Sequence, residues 1–345
     1  MLTDITRHEP SPVFTTRRMH RAAWMLLAGL SLSGIATATD SGGVDPLDAV
    51  VESADAHRFA TLFERAKGHP DAAQLQSGYL DKSGLGVRVF TPDRIVDAAN
   101  LAKAIAADPA KYQHAIDVCL PAADEASGEV RAIYLAYRGL VPSARLPRIF
   151  VVFGAGNSAG TAVPAAQVIG LERACQHLTD RKAFRDSIRH LAAHETAHAL
   201  QSTLADDSPA RHDLLVWALR EGGADFLGAL VTGSDPSGAN NAWGMAREQA
   251  LMTQFLEDRA TALGHWPAGA DPDDTGKAAA TRWFWNKAGN DGRPADLGYW
   301  IGQRILYAYY QRQSDKRAAI GTILAMRDPD AILRQSGYGD ASTRP

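Results

Sequence analysis

The stretch His190-Leu-Ala-Ala-His-Glu-Thr-Ala-His-Ala-Leu-Gln201 decides how the chain is read. It contains His-Glu-x-x-His, with His194, Glu195 and His198 at the fixed positions. Residues four apart on an α-helix share a face, so a helix here presents both imidazoles to one metal ion. Glu195 sits one residue on, about 100° around the helix axis, where it reaches a water on that metal without being a ligand. The pattern predicts a mononuclear zinc site with Glu195 as general base. The chain has 11 His and 10 Glu in 345 residues; random order would supply the three fixed residues only ~0.01 times per chain. The competing reading is a polar helix face with two hydrogen-bonded histidines. His190 extends the row by one more turn; it could compete as a ligand, but at that distance it is read as a supporting or surface residue.

A zinc site that does hydrolysis has three protein ligands and one open position, so a third donor is expected from a separate element. Leu219-Arg-Glu-Gly-Gly-Ala-Asp-Phe226 supplies it. Glu221 follows His198 after the turn-rich Asp206-Asp-Ser-Pro-Ala210, room enough for a second helix packed back on the first. Asp225 shares the face of Glu221 and is placed to accept a hydrogen bond from the free ring nitrogen of a ligating His. Gly222 and Gly223 each weaken a helix by about 1 kcal/mol against Ala. Close approach of the two helices behind the metal is the expected compensation. Leu219, Ala224, Phe226 and Leu227 predict a largely buried helix, where an unpaired carboxylate is costly.

His-Glu-x-x-His followed by Glu221-Gly-Gly-Ala-Asp-Phe226 resembles the gluzincin, or thermolysin-like, metallopeptidases. More narrowly, the chain resembles a bacterial family of predicted zinc-dependent proteases related to gliding-motility lipoproteins. Val151-Val-Phe-Gly-Ala-Gly-Asn-Ser-Ala-Gly-Thr161 with Val168-Ile-Gly-Leu-Glu172 resembles their strand–turn–strand. Gly298-Tyr-Trp-Ile-Gly-Gln-Arg-Ile-Leu-Tyr307 resembles their late helix, and Asp55-Ala-His-Arg-Phe59 with Gly78-Tyr-Leu-Asp-Lys-Ser-Gly-Leu-Gly86 their helical start. The likeness covers roughly residues 45–340. It implies a zincin-like α+β fold, mostly helical, with a small antiparallel sheet beside the zinc helix. It also implies an edge strand that binds the substrate backbone, with Gly154, Gly156 and Asn157 as substrate-binding residues.

Around this centre, residues 1–38 read as an export signal. Arg17, Arg18 and Arg21 precede the apolar run Ala22–Ile35, and Ala36-Thr-Ala38 fits the small-x-small cleavage rule. No other apolar stretch is long enough to span a membrane. A periplasmic or secreted protein is expected, with no stable membrane span after cleavage. The formal net charge of −3 implies no pull toward nucleic acid. Cys119 and Cys175 are either a disulfide or two buried thiols.

Residues 39–145 read as a helical region and 146–345 as the catalytic region, together one compact unit. A helix is expected from Asp45 to about Lys67, and another from Thr91-Pro92 with Thr91 as its cap. Arg148–Gly154 and Val163–Leu171 read as strands around a Gly-rich turn. Residues 181–204, 212–231, 244–262, 297–313, 315–326 and 329–336 read as helices, the last capped by Asp328. Residues 263–296 read as a long irregular stretch whose tryptophans either line a subsite or pack beneath the loop. Its acidic run Asp271-Pro-Asp-Asp274 is either a calcium site or, more simply, a solvated turn. Tyr299, at the start of the 297–313 helix, is the candidate donor to the oxyanion, or else a packing tyrosine. The expected function is an exported zinc peptidase acting on a peptide or protein. The rivals are a non-catalytic zinc-containing binding protein and a zinc amidase acting on cell-wall material.

Overall fold

The computed structural model describes residues 43–203, 208–234, 238–267, 271–289 and 292–338. The export leader expected at 1–38 lies outside these residues. Four strands form one sheet: Val51–Glu52 (β1), Arg148–Val152 (β2), Gly160–Val163 (β3) and Ala166–Gly170 (β4), in the order β1-β2-β4-β3. β1 and β4 both run parallel to β2, and only β3 is antiparallel, paired with β4 from Gly160↔Ile169 to Val163↔Ala166. The chain is therefore α+β and mostly helical, but the sheet is mixed, not antiparallel. The second strand expected from Val163 begins at Ala166. Gly160, expected in the turn, opens the edge strand β3 instead.

The principal helices are Ala54–Arg65 (α1), Leu85–Phe90 (α2), Ala98–Ala107 (α3), Ser127–Leu140 (α4), Arg181–Leu200 (α5), Leu214–Thr232 (α6), Glu248–His265 (α7), Asp274–Thr281 (α8), Leu297–Arg312 (α9), Lys316–Ala325 (α10) and Pro329–Ser336 (α11). Their starts follow side-chain capping, in which a short polar side chain accepts from an otherwise unpaired first-turn N–H. Asp180 accepts from Ala183 at the head of α5, Asp213 from Leu215 at α6, Asp315 from Ala318 at α10 and Asp328 from Ala331 at α11. α6 ends on Gly233 in the left-handed conformation, φ 71°, which glycine adopts without a Cβ clash.

Tertiary pairing overrides several local readings. The helix expected from Asp45 begins only at Ala54: Asp45 accepts from Leu47 in a short 3-10 turn, and Val51–Glu52 are drawn into pairing with Ile149–Phe150. Thr91 is not a cap. α2 runs on through a π turn at Thr91–Ile95, the Thr91 hydroxyl donates back to the Val87 carbonyl, and Asp97 caps α3 by accepting from Asn100. The stretch expected to be irregular holds α8, whose cap Asp273 accepts from Thr275 and Gly276. One acid of the 271–274 run is thereby spent on helix capping.

One continuous apolar core runs from Ala49 to Tyr338 and joins the helical first half to the sheet and to the later helices. Phe59 of α1 stacks on Phe153 just beyond β2, ring centroids 4.4 Å apart. A disulfide joins Cys119 to Cys175, Cα atoms 6.1 Å apart. Closing a loop of this length removes chain entropy from the unfolded state, a stabilisation of about 4 kcal/mol. No helix among the described residues is long and apolar enough to cross a membrane.

Candidate metal centre

α5 turns Phe184, Ile188, Ala192, Ala193 and Ala197 into the core and leaves His194 and His198 part-buried on a neighbouring face. α6 packs against α5. It buries Leu215, Leu219, Ala224 and Leu227 and presents Glu221 and Asp225, four residues apart, to the two imidazoles. One ligand atom from each of His194, His198 and Glu221 lies within 4.8 Å of the others. His198 Nε2 is 3.0 Å from His194 Nε2 and 3.2 Å from Glu221 Oε2. The opposite ring nitrogens are held: His194 Nδ1 is 2.8 Å from Asp225 Oδ1, and His198 Nδ1 is 2.9 Å from Gln201 Oε1. With each Nδ1–H donating to its oxygen, both Nε2 lone pairs turn toward Glu221. Two imidazole nitrogens and a carboxylate oxygen converging in this way form a donor set that suits a divalent zinc-like cation.

The charges of the cluster are coupled. Burial disfavours the imidazolium of His194, yet hydrogen bonding to Asp225 and Glu221 outweighs it and raises the pKa well above the ordinary histidine value. His198 shifts upward as well: burial opposes the charge, and Glu221 more than offsets it. Burial disfavours the Glu221 carboxylate, but the two histidines hold its pKa well below the usual range. Positive charge on the two imidazoles gathers where the ring nitrogens and the carboxylate meet, so a cation bound there would compete with protons for the same nitrogens.

Glu195 is 6% exposed, and its Oε2 has no hydrogen-bond partner. Burial raises its pKa, and the neighbouring histidines moderate the rise. The edge strand β3 passes directly over it: a Cβ added at Gly160 would stand 2.2 Å from Glu195 Oε1. A side chain at this position would force the Glu195 carboxylate to shift. Beneath α5, Gln167 of β4 donates to Thr196 Oγ1 and Tyr134 Oη, and Tyr137 Oη donates to the Ala193 carbonyl. These bonds fix the helix on the sheet.

Tyr299 of α9 stands beside the cluster. Its ring stacks on His194, centroids 6.2 Å apart and planes 17° from parallel. Burial and then the adjacent Glu221 push its pKa well up, so the hydroxyl stays a donor. Gly222 and Gly223 do allow a close approach, but chiefly to α9 and not to α5 as expected. A Cβ at Gly222 would meet Gln303 N at 2.2 Å, and one at Gly302 would meet the Ala218 carbonyl oxygen at 1.7 Å. This contact brings Tyr299 beside Glu221.

The expected substrate-binding turn lies elsewhere in the hydrogen-bond network. Gly154 N–H and Gly156 N–H donate to the two oxygens of Glu172 at 3.0 and 2.9 Å, so neither is free for a substrate carbonyl. Asn157 is exposed. His190 stays out of the cluster, its Nε2 3.3 Å from Ser234 Oγ. Two participants escaped the sequence reading. Gln201 had a signal, standing three residues after His198 on the same helical face. Gly160 had none, because its role depends on which strand forms the sheet edge. Compared with family models, with curated proteins and with solved structures, the chain shows no match.

Proposed function

We propose that the protein is an exported zinc-dependent peptidase with a zincin-like catalytic region, as its resemblance to the gluzincin-type proteases implies. The observation that carries this reading is the pairing of a three-donor cluster with a buried glutamate whose Oε2 is unpartnered beside it. His194, His198 and Glu221 would hold the ion, with Asp225 and Gln201 fixing the two rings. When bound, the metal polarises a carbonyl and lowers the pKa of water toward neutrality. Glu195 takes the proton of the attacking water and passes it to the leaving amine nitrogen, a role suited to a carboxylate whose pKa is raised. The Tyr299 hydroxyl donates to the oxygen on which negative charge develops. β3, an edge strand running over Glu195, receives the substrate backbone as an added strand. The Cys119–Cys175 bridge suits the oxidising compartment to which the N-terminal leader points.

The deciding experiment is metal analysis with a peptide-library digest of the mature chain, wild type beside Glu195→Gln. Zinc near one per chain in both proteins, with cleavage by the wild type alone, is the expected result. Zinc without cleavage of any peptide points to the binding-protein reading.

A further inference from the structure

We propose that Arg94 is a carboxylate-recognition residue of the candidate metal centre, its guanidinium receiving a carboxylate of the peptide beside Glu195. The inference rests on the peptidase reading and names a substrate class, peptides with a carboxylate near the cleaved bond. Arg94 lies in the π turn Thr91–Ile95 that prolongs α2. Four residues earlier, Phe90 packs into the end of the sheet: a Cβ added at Gly154 or Gly170 would stand 2.5 or 2.9 Å from its ring. Gly170 follows Ile169, the partner of Gly160, and α2 touches β3 as well. Residues four apart share one side of a helix. Arg94 therefore carries this contact on toward the head of β3, where Gly160 crosses Glu195.

The guanidinium has no partner there. Arg94 is half-buried, its Nε is sealed from solvent without a hydrogen bond, and no ion pair among the described residues holds it. Its charge is felt at Glu195, whose carboxylate it favours, yet no hydrogen bond joins the two, and Glu195 Oε2 is unpartnered as well. A buried N–H without an acceptor is destabilising by about 1–3 kcal/mol. The site thus leaves room for an acceptor that the chain does not supply. Lys111, a second cation at this end of the sheet, is already engaged. It lies over the Tyr112 ring at 5.3 Å and favours the charge of Glu172.

The backbone beneath Arg94 is held under strain. Val96 N–H donates to the Thr91 carbonyl at 2.7 Å and closes the π turn, and Asp97 N–H donates to the Ile95 carbonyl at 3.0 Å. The second bond makes a γ-turn centred on Val96, φ 69° and ψ −69°, a rare conformation and a strained one for a β-branched residue. Val96 is exposed, so burial of its side chain does not offset the strain. π turns and strained residues gather at functional sites; these two flank the stem of Arg94.

A guanidinium presents a planar fork of N–H donors that matches the two oxygens of a carboxylate. Unmodified peptides carry that anion in two forms, the chain terminus and the Asp or Glu side chain. β3 is part-exposed along its length, so a peptide laid on that edge comes within reach of Glu195 and Arg94.

The test uses the full zinc-loaded chain carrying Glu195→Gln, which holds peptide without turning it over. Calorimetry compares peptides of one length in which a single Glu or Gln is moved one position at a time, each with a free or an amidated C-terminus. A carboxylate in one of the two places should tighten binding about 10- to 100-fold, the advantage of a hydrogen bond to a charged group. A terminal preference marks cleavage near a chain end, and a side-chain preference marks cleavage directed by an acidic residue. Arg94→Gln should bring acid and neutral peptides to equal affinity. Arg94→Lys keeps the charge without the fork and should keep only part of the preference; it carries the test if Arg94→Gln fails to fold and bind zinc. A preference that survives undiminished in these variants overturns the assignment, since the zinc itself would then hold the carboxylate. Equal affinity for acid and neutral peptides with Arg94 in place overturns it too, as does an equal loss for both kinds of peptide on substitution. A carboxylate preference that depends on Arg94, with none of these peptides cleaved by the wild type, would defeat the peptidase reading and leave the role of Arg94 standing.

Discussion

Glu195 and Glu172 are both buried acids, at 6% and 0% exposure, and burial raises the pKa of both. Their surroundings differ in one respect. Each oxygen of Glu172 accepts a backbone N–H, from Gly154 and Gly156, and Lys111 lies close enough to favour its charge. Glu195 faces two imidazoles with one oxygen unpartnered. The saturated acid locks a turn. The unsaturated one keeps its capacity for something that arrives later. Burial alone therefore does not separate the two acids; what separates them is the unspent hydrogen-bonding capacity of Glu195 beside a donor cluster, which the proposed base role would use.

The contrast breaks most sharply at the ligands. His198→Ala should remove essentially all bound zinc in metal analysis, while Glu172→Ala should leave the zinc content unchanged. Zinc retained by His198→Ala would mean that the cluster is not the binding site. Glu195→Gln should lower peptide hydrolysis by about 10²- to 10⁴-fold, the range of a general base, with full zinc occupancy. A loss of zinc in that variant would make Glu195 a ligand and not a base. Asp225→Ala should weaken zinc affinity about 10- to 100-fold, as expected when the partner orienting a ligand histidine is removed; a chelator titration reads it.

The smallest effect concerns Glu172 and pH. Its folded-state pKa lies above the ordinary 4.5, so folding favours the protonated acid. Its contribution to stability is greatest below about 4.5 and declines as pH rises through the folded value, since there the native state holds the proton that the unfolded chain releases. Glu172→Gln should flatten that limb in denaturant melts at successive pH values. Zinc binding should weaken in the opposite direction, as pH falls. His194 and His198 have raised pKa values, so protons would displace a bound ion from the same nitrogens.

The glycines of Gly154-Ala-Gly156 suggest a loop open to a ligand, but the loop is occupied from within by Glu172, a residue that looks ordinary in sequence at the end of β4. Gly160, placed by sequence in a turn, becomes the edge residue over Glu195 because β4 pairs with β2 on one side and with β3 on the other. Trp283 and Trp285, two residues apart, are alike in composition. In the fold one is buried, donating to Asp258 at 2.8 Å, and the other is exposed. Thr91-Pro92 carried a cap signal that lost to the continuation of α2.

Spacing along single helices was enough to put His194 beside His198 and Glu221 beside Asp225, because the 3.6-residue period is a local property of the backbone. It also set the starts of α5 and α11, where one side chain caps its own first turn. Bringing Glu221 to the histidines, Gly160 over Glu195, Gly302 against α6 and Tyr299 onto His194 depends on residues far apart in the chain. Those distances follow from how helices and strands share a core, and no local period encodes them. The histidine and acid helix faces could therefore be anticipated from the order of the residues, whereas their convergence, the edge strand and the unspent oxygen of Glu195 came only from packing.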